Sequence, residues 1–220
     1  MFFSYLKYFI KDYKIQREVK KRYYKSQSFR EIDTGLLEFY LFQNPYQISR
    51  RYLKRARAKD IHVYGETPLM TFEKVAKEAN ICKDDVVLEL GCGRGRGALF
   101  LNDFFKCQVI GVERIPHFVK IARHISHKHQ VKGVEFLCHN FTQADVLANA
   151  TCIYLYGTCL EDLEITELIE TLKKCSKGTR IVTVSYPLTD YDKDNRFLLE
   201  KSFSVSFPWG ETEAYLQKVR

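Results

Sequence analysis

The 220-residue sequence predicts a doubly wound α/β sheet from residue 67 onward, preceded by a helical extension. Three observations carry this. Short apolar runs recur at residues 86–90, 109–112, 134–137, 152–156 and 181–184. Helical patterns fill the gaps at about 97–106, 117–129 and 161–174. Runs that are apolar throughout mark strands buried on both faces, and their alternation with helices makes a mostly parallel sheet covered on both sides. The tail differs: Phe203, Val205 and Phe207 alternate, Pro208-Trp209-Gly210 breaks the pattern, and Ala214-Tyr215-Leu216 begins another run. That pattern predicts a hairpin closing one edge of the sheet.

The extension reads as helical. Residues 1–26 contain no Pro or Gly and mix aromatics with Lys and Arg, as an amphipathic helix does. A second helix is expected to start after Asn44-Pro45, because Pro suits a first helical position and Ile48, Tyr52 and Leu53 recur at helical spacing. Charge divides the chain at the same place. Residues 1–60 hold 15 Lys+Arg against 6 Asp+Glu, net +9, whereas residues 61–220 are net −1. We therefore read residues 1–60 as a basic helical extension and 61–220 as the main domain. An excess of that sign suits an acidic partner, whether nucleic acid, an anionic membrane surface or an acidic protein.

Composition narrows the setting. A hydrophobic share of 45% with 28% charged residues is that of a globular chain rather than a disordered one. Seven cysteines with no CxxC pair argue against a disulfide framework and a structural zinc site, and for a reducing, cytoplasmic compartment. No apolar run reaches the roughly 18 residues of a membrane span, so membrane contact would be peripheral. The apolar start (Phe2, Phe3, Leu6, Phe9, Ile10) precedes the basic residues, the reverse of a secretory signal.

The first apolar run leads into Glu89-Leu90-Gly91-Cys92-Gly93-Arg94-Gly95-Arg96-Gly97. Glycines there let backbone N–H groups approach a ligand at the positive start of the next helix. The dinucleotide register GxGxxG fits imperfectly, since its third glycine would fall on Arg96, and no GKS or GKT follows for a nucleoside triphosphate. The other register is an acid and three alternate glycines, Glu89-x-Gly91-x-Gly93-x-Gly95. The second run ends at Glu113, an acid at a strand tip suited to two ribose hydroxyls. The third is followed by Asn140-Phe141, an acceptor and a ring able to meet a purine.

These motifs resemble those of the class I, seven-strand S-adenosylmethionine methyltransferases. Within that fold, Tyr64-Gly65-Glu66-Thr67 is similar to the loop of the non-SET, disruptor-of-telomeric-silencing type histone lysine methyltransferases, and small prokaryotic and mitochondrial lysine methyltransferases are comparable in outline. The resemblance spans roughly residues 60–218. It implies a Rossmann-like seven-stranded sheet, S-adenosylmethionine as cofactor and a protein lysine as acceptor. It assigns Glu66, Thr67, Glu89, Gly91, Cys92, Gly93, Gly95, Glu113, Asn140 and Phe141 to the cofactor and Tyr64 to the reacting centre. Tyr156 and Trp209 are further aromatics available with Tyr64 to build a desolvating lysine channel. One departure stands out: after the fourth strand the family carries paired asparagines, and this chain has Tyr156-Gly157-Thr158.

Two enzymatic alternatives stay open, methylation of an RNA guided by the basic extension and methylation of a small molecule. A third is a non-catalytic module of the same fold. Asn44-Pro45-Tyr46 partly matches the NPPY motif of amino-methyltransferases but lacks one Pro and reads as a helix start. His124-x-x-His127-x-His129 sits on an expected helix beside Lys128 and reads as a solvated face, so no metal is expected.

Overall fold

The computed structural model describes residues 2–141, 147 and 149–220. Three helices come first: α1 (Phe2–Tyr23), α2 (Gln27–Phe39) and α3 (Pro45–Arg55). Then follow α4 (Leu69–Glu78), β1 (Val86–Leu90), α5 (Arg96–Phe105), β2 (Gln108–Glu113), α6 (Pro116–Lys128) and β3 (Val134–Cys138). The chain continues through β4 (Cys152–Leu155), α7 (Asp162–Leu172), β5 (Arg180–Val184), β6 (Phe197–Phe207) and β7 (Gly210–Val219). The strands form one seven-stranded sheet in the order β3-β2-β1-β4-β5-β7-β6. β3 through β5 pair in parallel, and the β6–β7 hairpin adds antiparallel to β5.

Alternation along each strand sorts the core into two faces. Val87, Val109, Phe136, Tyr154 and Val182 pack with α4, α5 and α6, while Leu88, Leu90, Val112, Ile153 and Ile181 pack with α7. Glu89 follows the register of Val87 and is carried into the first face.

The sequence pattern did not separate α2 as an element, and α2 is the extension's main contribution to the core. Ser26 caps it, its side chain accepting from the Phe29 N–H. Phe29 is fully buried with its ring edge-on to Phe100 and Phe104 of α5, and Tyr23 of α1 meets the same two rings. Ile32 and Leu36 complete the stripe. The C-terminal part of α1 and all of α2 are thus packed into the core beside α5 and α6 rather than hanging from it. α3 starts where the Asn-Pro pair predicts, with the Asn44 side chain accepting from the Tyr46 N–H at 2.9 Å. Among the described residues no helix is long and apolar enough to cross a membrane.

Replacing Phe29 with Ala should cost about 3–5 kcal/mol of unfolding free energy in urea titration. A loss below about 1 kcal/mol, the range of an exposed position, would contradict the packing of α2 into the core.

Candidate active site

Strand order reverses between β1 and β4, which are neighbours although β2 and β3 intervene in sequence. A sheet of this kind leaves a crevice outside the carboxyl ends of its strands at that point. The crevice here is a cleft of ≈ 880 Å³, lined on the sheet side by Leu90, Gly91, Glu113, Asn140, Phe141 and Tyr156. Ser49, Tyr52, Leu53 and Ala56 of α3 wall it from another side. A smaller recess of ≈ 90 Å³ adjoins it at Gly65, Gly91 and Tyr156, and Glu66, Thr67, Glu89, Cys92, Gly93 and Tyr154 line that recess. The structure therefore brings every residue singled out from the sequence except Gly95 to the cleft or its recess.

Gly95 lies beneath, at the start of α5. Its φ of +77° and a neighbour only 2.4 Å from where a Cβ would stand, on the Phe136 ring, both demand glycine. The loop that leads to it is stitched to β2: the N–H groups of Gly91 and Cys92 both donate to the Val112 carbonyl, at 2.8 and 3.0 Å. The Glu113 carboxylate ties the loop further, accepting from Gly93 N–H at 3.0 Å and from Ile115 N–H at 2.8 Å. Burial pushes the Glu113 carboxyl above its usual range, and these two backbone donors oppose that shift. Each of its oxygens keeps a further lone pair for a ligand hydroxyl.

The two arginines between the glycines are both committed inside the protein. Arg94 grips Glu66 through two parallel bonds, Nε to Oε1 at 2.6 Å and a terminal nitrogen to Oε2 at 2.5 Å, and lies 4.9 Å from the centre of the Tyr40 ring. The Tyr64 hydroxyl donates to the same Glu66 oxygen. Burial alone would push the Glu66 carboxyl up, yet the Arg94 guanidinium holds it below the usual carboxylate range. Tyr64 itself lies over Gly93, where an added Cβ would come within 3.1 Å of the hydroxyl. Arg96 makes the corresponding fork with Asp33 of α2, at 2.6 and 2.7 Å, with Gln16 at 3.0 Å and the Tyr24 hydroxyl on Asp33 at 2.9 Å. The sequence reading passed over both arginines. The signal was present, since Arg at alternate positions of a glycine-rich turn must find an anion or solvent.

Glu89 and Cys92 sit deeper. Glu89 is 5% exposed, burial pushes its carboxyl up to about 8, and the Ala98 N–H bonded to it opposes that shift. Among the described residues its Oε2 has no hydrogen-bond partner, and the residue lines the recess. Burial likewise raises the Cys92 thiol, which stays protonated and inert at neutral pH.

Thr67, Tyr154 and Tyr156 form another side of the recess, and Phe207 and Trp209 stack on Tyr156. Thr67 and the buried Tyr154 share a hydroxyl hydrogen bond of 2.8 Å. Tyr156 stacks on Phe207 with ring centres 4.6 Å apart and planes 9° apart, and Phe207 stacks on Trp209 at 5.3 Å and 10°. Trp209 Nε1–H donates to the Tyr156 hydroxyl at 2.8 Å, closing the three rings into one unit. Phe207 was visible in the sequence only as one member of the alternating tail. Its role follows from the hairpin placing it beside the end of β4.

Residues 81–194 match a family model described as a methyltransferase domain. No curated protein matches the chain. Among solved structures, an RNA methyltransferase from Salinibacter ruber in complex with S-adenosyl-L-homocysteine is 24% identical, with a TM-score of 0.58, covering 70% of this chain and 94% of that one. TrmN from Thermus thermophilus is 14% identical with a TM-score of 0.64, covering 78% of this chain and 53% of that one. Magnesium protoporphyrin IX methyltransferase from Synechocystis with bound S-adenosylmethionine is 16% identical with a TM-score of 0.57, covering 80% and 98%. At these identities the structures speak to the fold.

Two expectations follow from the charged groups. Arg94→Met should cost about 3 kcal/mol, because Glu66 is left with a charge and only Tyr64 as partner. Adding Glu66→Met should recover part of it, whereas losses that add to within about 0.5 kcal/mol in urea titration would show that the two residues are uncoupled. For Glu89, the folded chain keeps a proton between pH ~4.3 and 8 that the unfolded chain has lost. Stability should therefore fall as pH rises through that window, by up to about 1.4 kcal/mol per unit, and level off above it. Glu89→Gln should remove this slope, and an unchanged pH profile would contradict the buried, protonated carboxyl.

Proposed function

The chain belongs to the methyltransferase domain family, and from that membership and the cleft's geometry we propose that it transfers the methyl group of S-adenosylmethionine to a lysine of a protein. The residues present fit that cofactor. Gly91 and Gly93 put no side chain into the recess, so a ligand can approach the loop backbone closely, Glu113 stands at the tip of β2 with acceptor capacity to spare, and Asn140 and Phe141 flank the same cleft. In the recess, the Oε2 of Glu89 would accept from a cationic group that displaces its proton. Glu113 would hold the ribose, Asn140 and Phe141 the adenine, and Gly91, Cys92 and Gly93 the chain between ribose and amino acid. Glu66 and Thr67 serve by holding the covering loop, through Arg94 and Tyr154, rather than through a free carboxylate. When bound, the cofactor supplies an electrophilic methyl group on a sulfonium.

The single observation carrying the acceptor assignment is Tyr156, which lines both cleft and recess beside Gly65 and is held there by stacking on Phe207 and by the Trp209 hydrogen bond. A lysine must shed its proton before its lone pair can attack, which from pKa 10.4 costs about 4–5 kcal/mol at pH 7. Aromatic walls disfavour the ammonium form and lower that cost. The Tyr156 hydroxyl is pushed above its usual range by burial, against the Trp209 hydrogen bond, so it stays neutral and orients the amine as a hydrogen-bond partner. The chain's share of the rate enhancement is then alignment within a dry wall.

A second reading, methylation of an RNA, is favoured by α3. Its inner side walls the cleft while Arg50, Arg51, Lys54 and Arg55 are exposed on the helix. Incubating the protein and radiolabelled cofactor with cell extract separates the readings. The lysine assignment predicts label in protein that hydrolyses to methyl-lysine, with Phe207→Ala lowering kcat/KM by on the order of 10²-fold while cofactor affinity is kept. Label in the RNA fraction would replace it, and cofactor binding with no turnover on any fraction would make the chain a binding module.

A further inference from the structure

The turn between α2 and α3 exposes apolar side chains that none of the described residues covers. Leu41 is 70% exposed and Phe42 98%, and they are consecutive. Single exposed apolar residues are ordinary on a protein surface, but two large ones side by side at the tip of a turn mark a contact site. Tyr46, at the start of α3, is also exposed, its ring edge against Tyr64. The turn is held in place from below, because Gln43 Oε1 meets His117 Nε2 at 2.9 Å and Tyr40 is buried against Phe118 and Arg94.

The surroundings of this tip are cationic. Residues 39–59 contain six Lys and Arg and no Asp or Glu. On α3, Tyr46, Arg50 and Lys54 recur every four residues and so share one side of the helix. Arg51 stands next to them and is equally exposed. Among the described residues none of Arg50, Arg51 and Lys54 forms a salt bridge. With a rise of 1.5 Å per residue, Arg50 lies about 8 Å along the axis from Pro45, so the cations begin within a lipid headgroup's breadth of the apolar tip.

We infer that the α2–α3 turn and the outer side of α3 dock the protein on an anionic phospholipid surface, with Leu41 and Phe42 entering the acyl boundary and Arg50, Arg51 and Lys54 meeting headgroup phosphates. The pairing of an aliphatic and an aromatic tip with flanking cations is the chemistry of interfacial anchoring. Single-stranded nucleic acid fits the patch less well, since Leu41 offers no ring for a base to stack on. The docked helix is also a wall of the cleft, through Ser49, Tyr52, Leu53 and Ala56, so docking would bring the reaction cleft close to the membrane. The inference goes beyond the methyl-transfer reading and stands whichever acceptor is used.

Co-sedimentation of the full chain with vesicles tests it, using phosphatidylcholine alone and an equal mixture with phosphatidylglycerol. The expected result is binding to the mixed vesicles, weakened by salt, with little to phosphatidylcholine. Leu41→Ser combined with Phe42→Ser should weaken it at least about tenfold. Both residues are exposed, so circular dichroism should show the fold kept. Arg50→Glu with Arg51→Glu should remove the preference for phosphatidylglycerol. No sedimentation with either vesicle, or binding indifferent to both double variants, overturns the inference. Binding of a single-stranded RNA oligonucleotide, lost on replacing Leu41 and Phe42 while vesicles are ignored, also overturns it and assigns the patch to nucleic acid.

Discussion

Two arginines in one turn hold this molecule's site together. Arg94 and Arg96 alternate with the glycines between β1 and α5, and each forks onto a carboxylate from a different part of the preceding chain. Such pairs are costly to bury and hold only when both partners are present with good geometry. Their consequence is spatial. Glu66, with Tyr64 on it, fixes the covering loop above Gly93, and Asp33 fixes α2 against the start of α5. The glycine loop is therefore an anchor as well as a cradle. Gly91, Gly93 and Glu113 border the cleft and its recess, while Arg94 reaches to Glu66 and Arg96 to Asp33 of the extension.

This changes what the opening charge imbalance means. The basic surplus before residue 61 belongs partly to helices that are built into the core: Val19, Tyr23, Phe29, Ile32 and Leu36 are buried with α5 and α6. Exposed cations stand both on α1, at Lys14, Arg17, Lys20, Lys21 and Arg22, and on α3, at Arg50, Arg51, Lys54 and Arg55; the other side of α3 walls the cleft.

Much of the sheet was legible because strands buried on both faces cannot hide. The runs at 86–90, 109–112, 152–156 and 181–184 appear as strands within a residue or so, and the alternating tail appears as the β6–β7 hairpin. α2 was not legible. Its pattern sits in a region whose Lys, Arg and Glu content dominates a window average, and its stripe of Phe29, Ile32 and Leu36 acquires meaning only against the phenylalanines of α5. At the cleft, Gly91, Gly93 and Glu113 could be placed from spacing, because strand ends of a parallel sheet converge on one crevice, whereas Gly95 serves the packing beneath it. The partners of Arg94 and Arg96 could not, since pairs 28 and 63 residues apart leave no local pattern. The stacking of Tyr156, Phe207 and Trp209 was hidden for the same reason: it joins β4 to the terminal hairpin.

If the arginine-anchored loop presents the cofactor to Tyr156, a crystal structure of the protein with S-adenosylhomocysteine should show ribose on Glu113, the adenine beside Phe141, the sulfur facing Tyr156, and the Arg94–Glu66 fork unchanged. A product bound away from the β1–β4 crevice, or Glu66 released from Arg94 to hold the cofactor itself, would contradict it.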